Sequence, residues 1–131
     1  MEPVIANDPF EPPPAMIGIH LLADFHDINT ERLVDAGLLT DCLLKAAMRG
    51  GLTPIGPPVL HRFDGGGLTG YLLLSESHIA LHTYPEHGYI ALDIFSCGSS
   101  DPHAALEVFR DALSPARERL TTVSRGEAID L

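Results

Sequence analysis

From Ile17 to Phe25 the chain alternates, with Ile17, Ile19, Leu21, Ala23 and Phe25 separated by Gly18, His20, Leu22 and Asp24. Successive side chains on a strand point to opposite faces, so this period predicts a strand with one buried face. The same period returns over His78–Tyr84, where Ile79, Leu81 and Thr83 share a side, and over Tyr89–Cys97. Residues 55–63, 68–74 and 119–124 read as further strands. Between them, Leu39, Cys42, Leu43, Ala46 and Ala47 form an apolar stripe that predicts a helix over about 38–49, stopped by Gly50-Gly51. A short helical turn is expected over 30–36. A second main helix is expected over 101–113, with Asp101 as N-cap, Pro102 at the first position and Ser114-Pro115 as the stop. The order strand, helix, several strands, helix, strand favours an α+β fold: helices layered against a mostly antiparallel sheet. Such a sheet has a second face, either solvated or buried in a dimer.

A chain of 131 residues with 45% hydrophobic content suits one domain with a genuine core. That domain is expected to span 16–131. Residues 1–15 carry five of the eleven prolines and read as an extended or disordered tail. A net charge of −10 disfavours nucleic acid, whose phosphates would be repelled. Cys42 and Cys97 are too few for a disulfide framework, and no apolar run approaches the length of a membrane span. No signal peptide is visible, so a soluble, cytoplasmic protein is expected.

The chemistry concentrates between Phe63 and Gly98, which hold His78, His82, His87, Glu86, Ser77 and Cys97 beside the glycine-rich turn Asp64-Gly65-Gly66-Gly67. Taken singly, each has a plain structural reading, because a histidine or serine near a turn is usually structural. A lone cysteine is usually a small buried hydrophobe. His78, His82, Glu86 and Cys97 could together bind zinc, but their spacing matches no common zinc signature and no CxxC pair exists. The expectation is therefore no metal. A nucleophilic hydrolase, with Ser77 or Cys97 activated by a histidine, is a further reading, but nothing resembles a Gly-x-Ser-x-Gly elbow, since Ser77 sits in Ser-Glu-Ser-His.

The stretch as a whole is more specific. Ser-Glu-Ser-His-Ile-Ala-Leu-His-Thr-Tyr-Pro-Glu at 75–86, followed by Asp-Ile-Phe-Ser-Cys-Gly at 93–98, closely resembles the bacterial S-adenosylmethionine decarboxylase proenzyme family. His-Arg-Phe at 61–63, Leu-Thr-Gly at 68–70 and Gly-Ile-His-Leu-Leu at 18–22 fit the same pattern, so the resemblance covers about 17–124. The chain departs from the pattern at Tyr84, where tryptophan is common, and at Asp64-Gly65-Gly66, which replaces a proline-containing turn. It also lacks the usual basic residue before the first strand.

The resemblance implies a two-layer α/β sandwich and a proenzyme that cuts its own backbone between Glu76 and Ser77. The Ser77 hydroxyl would attack the Glu76 carbonyl carbon, converting the amide to an ester. β-Elimination would then release the fragment ending at Glu76, and the dehydroalanine at 77 would hydrolyse to a pyruvoyl group with loss of ammonia. That pyruvoyl group, the cofactor, would form a Schiff base with the substrate amine and accept electrons as carbon dioxide leaves. By the same resemblance His82 assists proton transfer in processing, and Thr69 stands where a supporting serine hydroxyl is usual. Cys97 is the proton donor in catalysis. Free thiols titrate near about 8.5 and are mostly protonated at neutral pH. Glu86 would accept hydrogen bonds from the ribose hydroxyls, Phe63 would stack on adenine, and Glu76 would lie at the ligand pocket. The implied enzyme is a homodimer paired through its sheets, each protomer cut into 1–76 and 77–131, with residues of both near each site. Its product would donate aminopropyl groups for spermidine biosynthesis. Relatives that decarboxylate ornithine or arginine keep the same cleavage machinery and are the alternative for substrate.

Overall fold

The computed structural model describes residues 17–126; the proposed tail at 1–15 lies outside the described residues. Six strands form one sheet in the order β2-β3-β4-β5-β1-β6. They are β1 (Gly18–His26), β2 (Val59–Arg62), β3 (Leu68–Leu73), β4 (His78–Tyr84), β5 (Tyr89–Cys97) and β6 (Arg117–Arg125). Every neighbouring pair is antiparallel. The helices are α1 (Thr30–Leu33), α2 (Ala36–Gly50) and α3 (Pro102–Leu113). With α2 against β3 and α3 against β1 and β5, both main helices cover one face. The expected α+β sandwich is thus the observed fold.

The alternation seen in the sequence decides which face is covered. Leu21, Ala23 and Phe25 of β1, Ile79 and Leu81 of β4, and Ile90, Leu92 and Ile94 of β5 are buried with Leu39, Leu43, Leu106 and Phe109 of the helices. Burying such side chains contributes roughly 1.5–3 kcal/mol each, which offsets the entropy of ordering the chain. The residues between them form the opposite, open face. There Leu22, Tyr71, Leu73 and Tyr84 are left exposed.

Helix boundaries follow their caps. The Asp35 carboxylate accepts from the Leu38 N–H at 3.0 Å, so α2 begins two residues earlier than the apolar stripe suggests. Gly51, at φ 67°, ends it in the left-handed conformation that glycine adopts without penalty. Asp101 caps α3 as expected. The expected strand over 55–63 shortens to Val59–Arg62, because Pro57 and Pro58 have no N–H to donate to the sheet. Ile55 still donates to the Leu73 carbonyl at 3.0 Å, and Pro54 bridges Leu74, so this segment runs beside the end of β3. The last strand extends to 117–125, one or two residues beyond its expected ends at each side.

Candidate active site

Between β3 and β4 the chain bends at Ser75-Glu76, and the bend is tied from several directions. Leu74 N–H donates to the Ser77 carbonyl at 2.9 Å, and Ser75 N–H donates to the Thr53 carbonyl at 2.9 Å. The Glu76 carboxylate accepts from the Thr53 N–H at 2.9 Å and from the Thr53 hydroxyl at 3.1 Å. The Thr53 N–H is the main influence holding the Glu76 carboxyl below its ordinary pKa. On the other side, the Cys97 thiol donates to the Glu76 carbonyl oxygen at 3.5 Å. Glu76 and Ser77 are half-buried. The bend is therefore ordered, open to reactants, and carries a thiol on the carbonyl that precedes Ser77.

Cys97 and Cys42 have different environments. Cys97 is half-buried at the end of β5, while Cys42 is buried under α2. Burial pushes the Cys42 thiol up to about 11, which makes it a packing group rather than a reactive one.

The other sequence-derived residues gather at the far end of β4. An open cleft of about 560 Å³ is lined by Phe63, Thr69, His82, Tyr84 and Glu86, with Gly65 and Gly67 in its turn. Thr69 and His82 face each other across β3 and β4, and the Thr69 hydroxyl lies 3.1 Å from His82 Nδ1. Arg62 supports the turn by donating to the carbonyls of Gly66 at 3.1 Å and Val34 at 3.0 Å. Gly66 sits at φ 93°, and a Cβ on Gly67 would come within 2.9 Å of the Thr83 carbonyl oxygen, so the turn needs glycine at both positions. Phe63 is 54% exposed, and its ring meets that of His61 edge to face at a centroid distance of 4.7 Å. Glu86 is exposed in the 3₁₀ turn Pro85–His87 that follows β4.

The candidate residues thus fall into two groups. His82 is five residues along β4 from Ser77, about 16 Å at the usual strand rise. Ser77, Glu76 and Cys97 stand at one end of the strand, and Phe63, Thr69, His82 and Glu86 at the other.

The four residues considered for zinc do not converge. Among the described residues, the one cluster of three possible ligands is His20, His78 and Asp93, on the open face. Both imidazole Nε2 atoms lie 2.9 Å from Asp93 Oδ1. Arg125 Nη1 is 3.2 Å from His20 Nδ1. Arginine can only donate, so that nitrogen accepts and the neutral ring carries its proton on Nε2, facing Asp93. Burial raises the Asp93 pKa, but the hydrogen bonds from His20 and His78 outweigh it and hold the carboxyl below its usual value. The sequence reading missed this cluster, along with Thr53. Neither has a spacing signature, since Thr53 meets Glu76 across 23 residues and His20 meets Asp93 across 73. His78 and His82, four residues apart on β4, share the open face, as the two-residue period of a strand requires.

An antiparallel sheet with an ordered Glu-Ser bend and a thiol on its carbonyl defines a candidate enzyme site built at a strand junction. The family model for S-adenosylmethionine decarboxylase matches residues 19–126. The S-adenosylmethionine decarboxylase proenzyme of Parasynechococcus marenigrum (strain WH8102) is 40% identical over 111 residues, covering 84% of this chain and 86% of the relative. That of Thermotoga petrophila is 38% identical over 111 residues, covering 84% and 85%. The crystal structure of the adenosylmethionine decarboxylase from Aquifex aeolicus superposes with a TM-score of 0.81 at 29% identity, covering 90% of this chain and 98% of the other. The chain belongs to the S-adenosylmethionine decarboxylase family.

Proposed function

We propose that the chain is a self-processing decarboxylase of S-adenosylmethionine, one domain cut between Glu76 and Ser77 into chains of 1–76 and 77–131. The observation that carries this reading is the Cys97 thiol donating to the Glu76 carbonyl oxygen, immediately before Ser77. A hydrogen-bond donor on that oxygen stabilises the charge that develops when the Ser77 hydroxyl adds to the carbonyl carbon. Oγ–C bond formation with loss of the C–N bond makes an ester, and elimination across Ser77 releases the Glu76 carboxylate.

The residues at the bend fit a pyruvoyl group derived from Ser77: cleavage there leaves a new chain end half-buried beside a thiol and held by the Leu74–Ser77 hydrogen bond. Such a group supplies an electron sink for loss of carbon dioxide. In this reading Cys97 returns a proton to the substrate carbon, which its half-buried position beside the Glu76 carbonyl supports, and Glu76 borders the space that opens on cleavage. No step requires a metal ligand from this chain.

The separation along β4 supports a homodimer paired through the open face. Phe63, Glu86, Thr69 and His82 are too far from Ser77 of their own chain to act on it, and the exposed Leu22, Tyr71, Leu73 and Tyr84 are the surface a second copy would cover. The cleft of one protomer then meets Ser77 and Cys97 of its partner, bringing His82 and Thr69 to the bond that is processed. In the same cleft Phe63 offers a face to adenine and Glu86 a carboxylate to the ribose hydroxyls. Ornithine and arginine have neither group, so the cleft favours the nucleoside. Two unpaired thiols suit a reducing compartment, consistent with a cytoplasmic enzyme of polyamine synthesis. Among the described residues no helix is long and apolar enough to cross a membrane.

Carbon dioxide release from S-adenosylmethionine, ornithine and arginine tests the reading. Turnover of S-adenosylmethionine alone is expected, with Glu86→Gln lowering it roughly ten- to a hundred-fold through loss of a charged hydrogen-bond acceptor. Fragments of 76 and 55 residues should accompany it, and Ser77→Ala should stay intact. Turnover of ornithine or arginine instead would replace the substrate and keep the cleavage chemistry.

A further inference from the structure

The bend that carries Glu76 and Ser77 is fastened to residues 53–55, a stretch that the processing chemistry described above does not use. Thr53 makes three of those bonds. Its carbonyl accepts from Ser75 N–H at 2.9 Å, its N–H donates to Glu76 Oε1 at 2.9 Å, and its hydroxyl donates to Glu76 Oε2 at 3.1 Å. Pro54 bridges Leu74, and Ile55 N–H donates to the Leu73 carbonyl at 3.0 Å, which extends the attachment along the strand.

Each half of the Glu76 residue therefore has its own anchor: both carboxylate oxygens on Thr53, and the backbone carbonyl oxygen on Cys97 at 3.5 Å. One anchor on the side chain and one on the backbone carbonyl of the same residue restrict the rotation of the peptide plane between Glu76 and Ser77. An attack on that carbonyl depends on the approach of Oγ to within a narrow range of distance and angle, so a fixed plane is worth rate. We infer that Thr53 is a positioning residue for self-cleavage, acting through the Glu76 side chain to hold the scissile peptide in line. The inference rests on the reading that the chain is cut at 76/77. Once the bond is broken, the same clasp keeps the new terminus at Glu76 beside the site instead of releasing it.

Thr53→Val keeps the shape and the N–H but removes the hydroxyl, and Thr53→Ser restores it. Cell-free synthesis followed over time, with fragments read by denaturing electrophoresis and intact mass, gives the cleavage rate of the full chain. Thr53→Val is expected to slow cleavage roughly three- to tenfold, as befits one hydrogen bond to a charged but solvent-accessible group, with Thr53→Ser close to wild type. Glu76→Ala should be slow too, and adding Thr53→Val to it should cost little more, because the two act as one unit. A structural role alone would slow both backgrounds equally and would not be rescued by serine. Wild-type rates in Thr53→Val, or additive losses in the double variant, would overturn the inference while cleavage at 76/77 stands. A wild-type chain that is never cut at 76/77 would instead overturn the underlying reading and this inference with it.

Discussion

The thiol of Cys97 donates to the carbonyl oxygen of Glu76 across 3.5 Å, linking the end of β5 to the bend before β4. One side chain therefore faces both events proposed for this site, first as a donor to the carbonyl under attack and later as the source of a proton. The two uses have different sensitivities. A weak sulfur donor is one of several ties on the bend, whereas reprotonation of the substrate carbon depends directly on the acid that delivers the proton. Cys97→Ala should still yield the 76- and 55-residue fragments, more slowly, and should lose decarboxylation by roughly 10²–10⁴-fold. Electrophoresis and carbon dioxide release separate the two, and full turnover in Cys97→Ala would remove the thiol from the reaction.

Thr69 and His82 share a rung of the β3–β4 ladder, with the hydroxyl 3.1 Å from Nδ1. The contact orients the ring and engages Nδ1, which leaves Nε2 for the proton transfer proposed in processing. Thr69→Val should slow self-cleavage with little change in thermal stability, since the rung is exposed and the neighbouring core is untouched. Thr69→Ser should cleave at least as fast as the wild type. His82→Ala should be the slowest of the three. Equal rates in Thr69→Val and wild type would leave His82 acting without its partner.

Much of the fold was legible because period two is a direct consequence of strand geometry. Leu21, Ala23, Ile79, Leu81, Ile90 and Leu92 are all buried where alternation put them. What failed was local. Alternation says nothing about caps, so Asp35 moved the start of α2, and an apolar run did not reveal that Pro57 and Pro58 would delay β2. The candidate residues stood together as a motif, but not their division between two ends of β4, because a motif records order along the chain and not distance across it. Contacts such as Thr53 with Glu76, or His20 with Asp93, arise only when the sheet order brings distant segments together.

The His20–Asp93–His78 cluster has a signature in acid. Burial works against the Asp93 charge, but the two histidines hold its pKa below the ordinary carboxylate value of 3.8. A folded-state pKa below the unfolded one means that the ionised carboxylate stabilises the fold. That contribution is fully present above the unfolded value and is lost as pH falls through the folded one. Asp93→Asn should therefore be less stable than the wild type at pH 7, and the difference should shrink below about pH 4. Urea midpoints at several pH values measure it, and a gap that does not change with pH would assign the loss to packing.

The division of the site along β4 makes the last expectation the most specific. If each active site takes Ser77 and Cys97 from one protomer and Glu86 from the other, a Cys97→Ala homodimer and a Glu86→Gln homodimer both carry a lesion in each of their two sites. In a mixed dimer the lesions redistribute. One site receives both, and the other receives the intact Cys97 of the Glu86→Gln protomer with the intact Glu86 of the Cys97→Ala protomer. Co-expressing the two chains with different tags and purifying through both should recover about half of the wild-type turnover, one sound site of two in a symmetric pair. Were all these residues to serve the site of their own chain, every site in the mixed dimer would keep one lesion and no activity would return. The measured turnover of the doubly purified species thus decides whether the roughly 16 Å between Ser77 and His82 is spanned by a second copy.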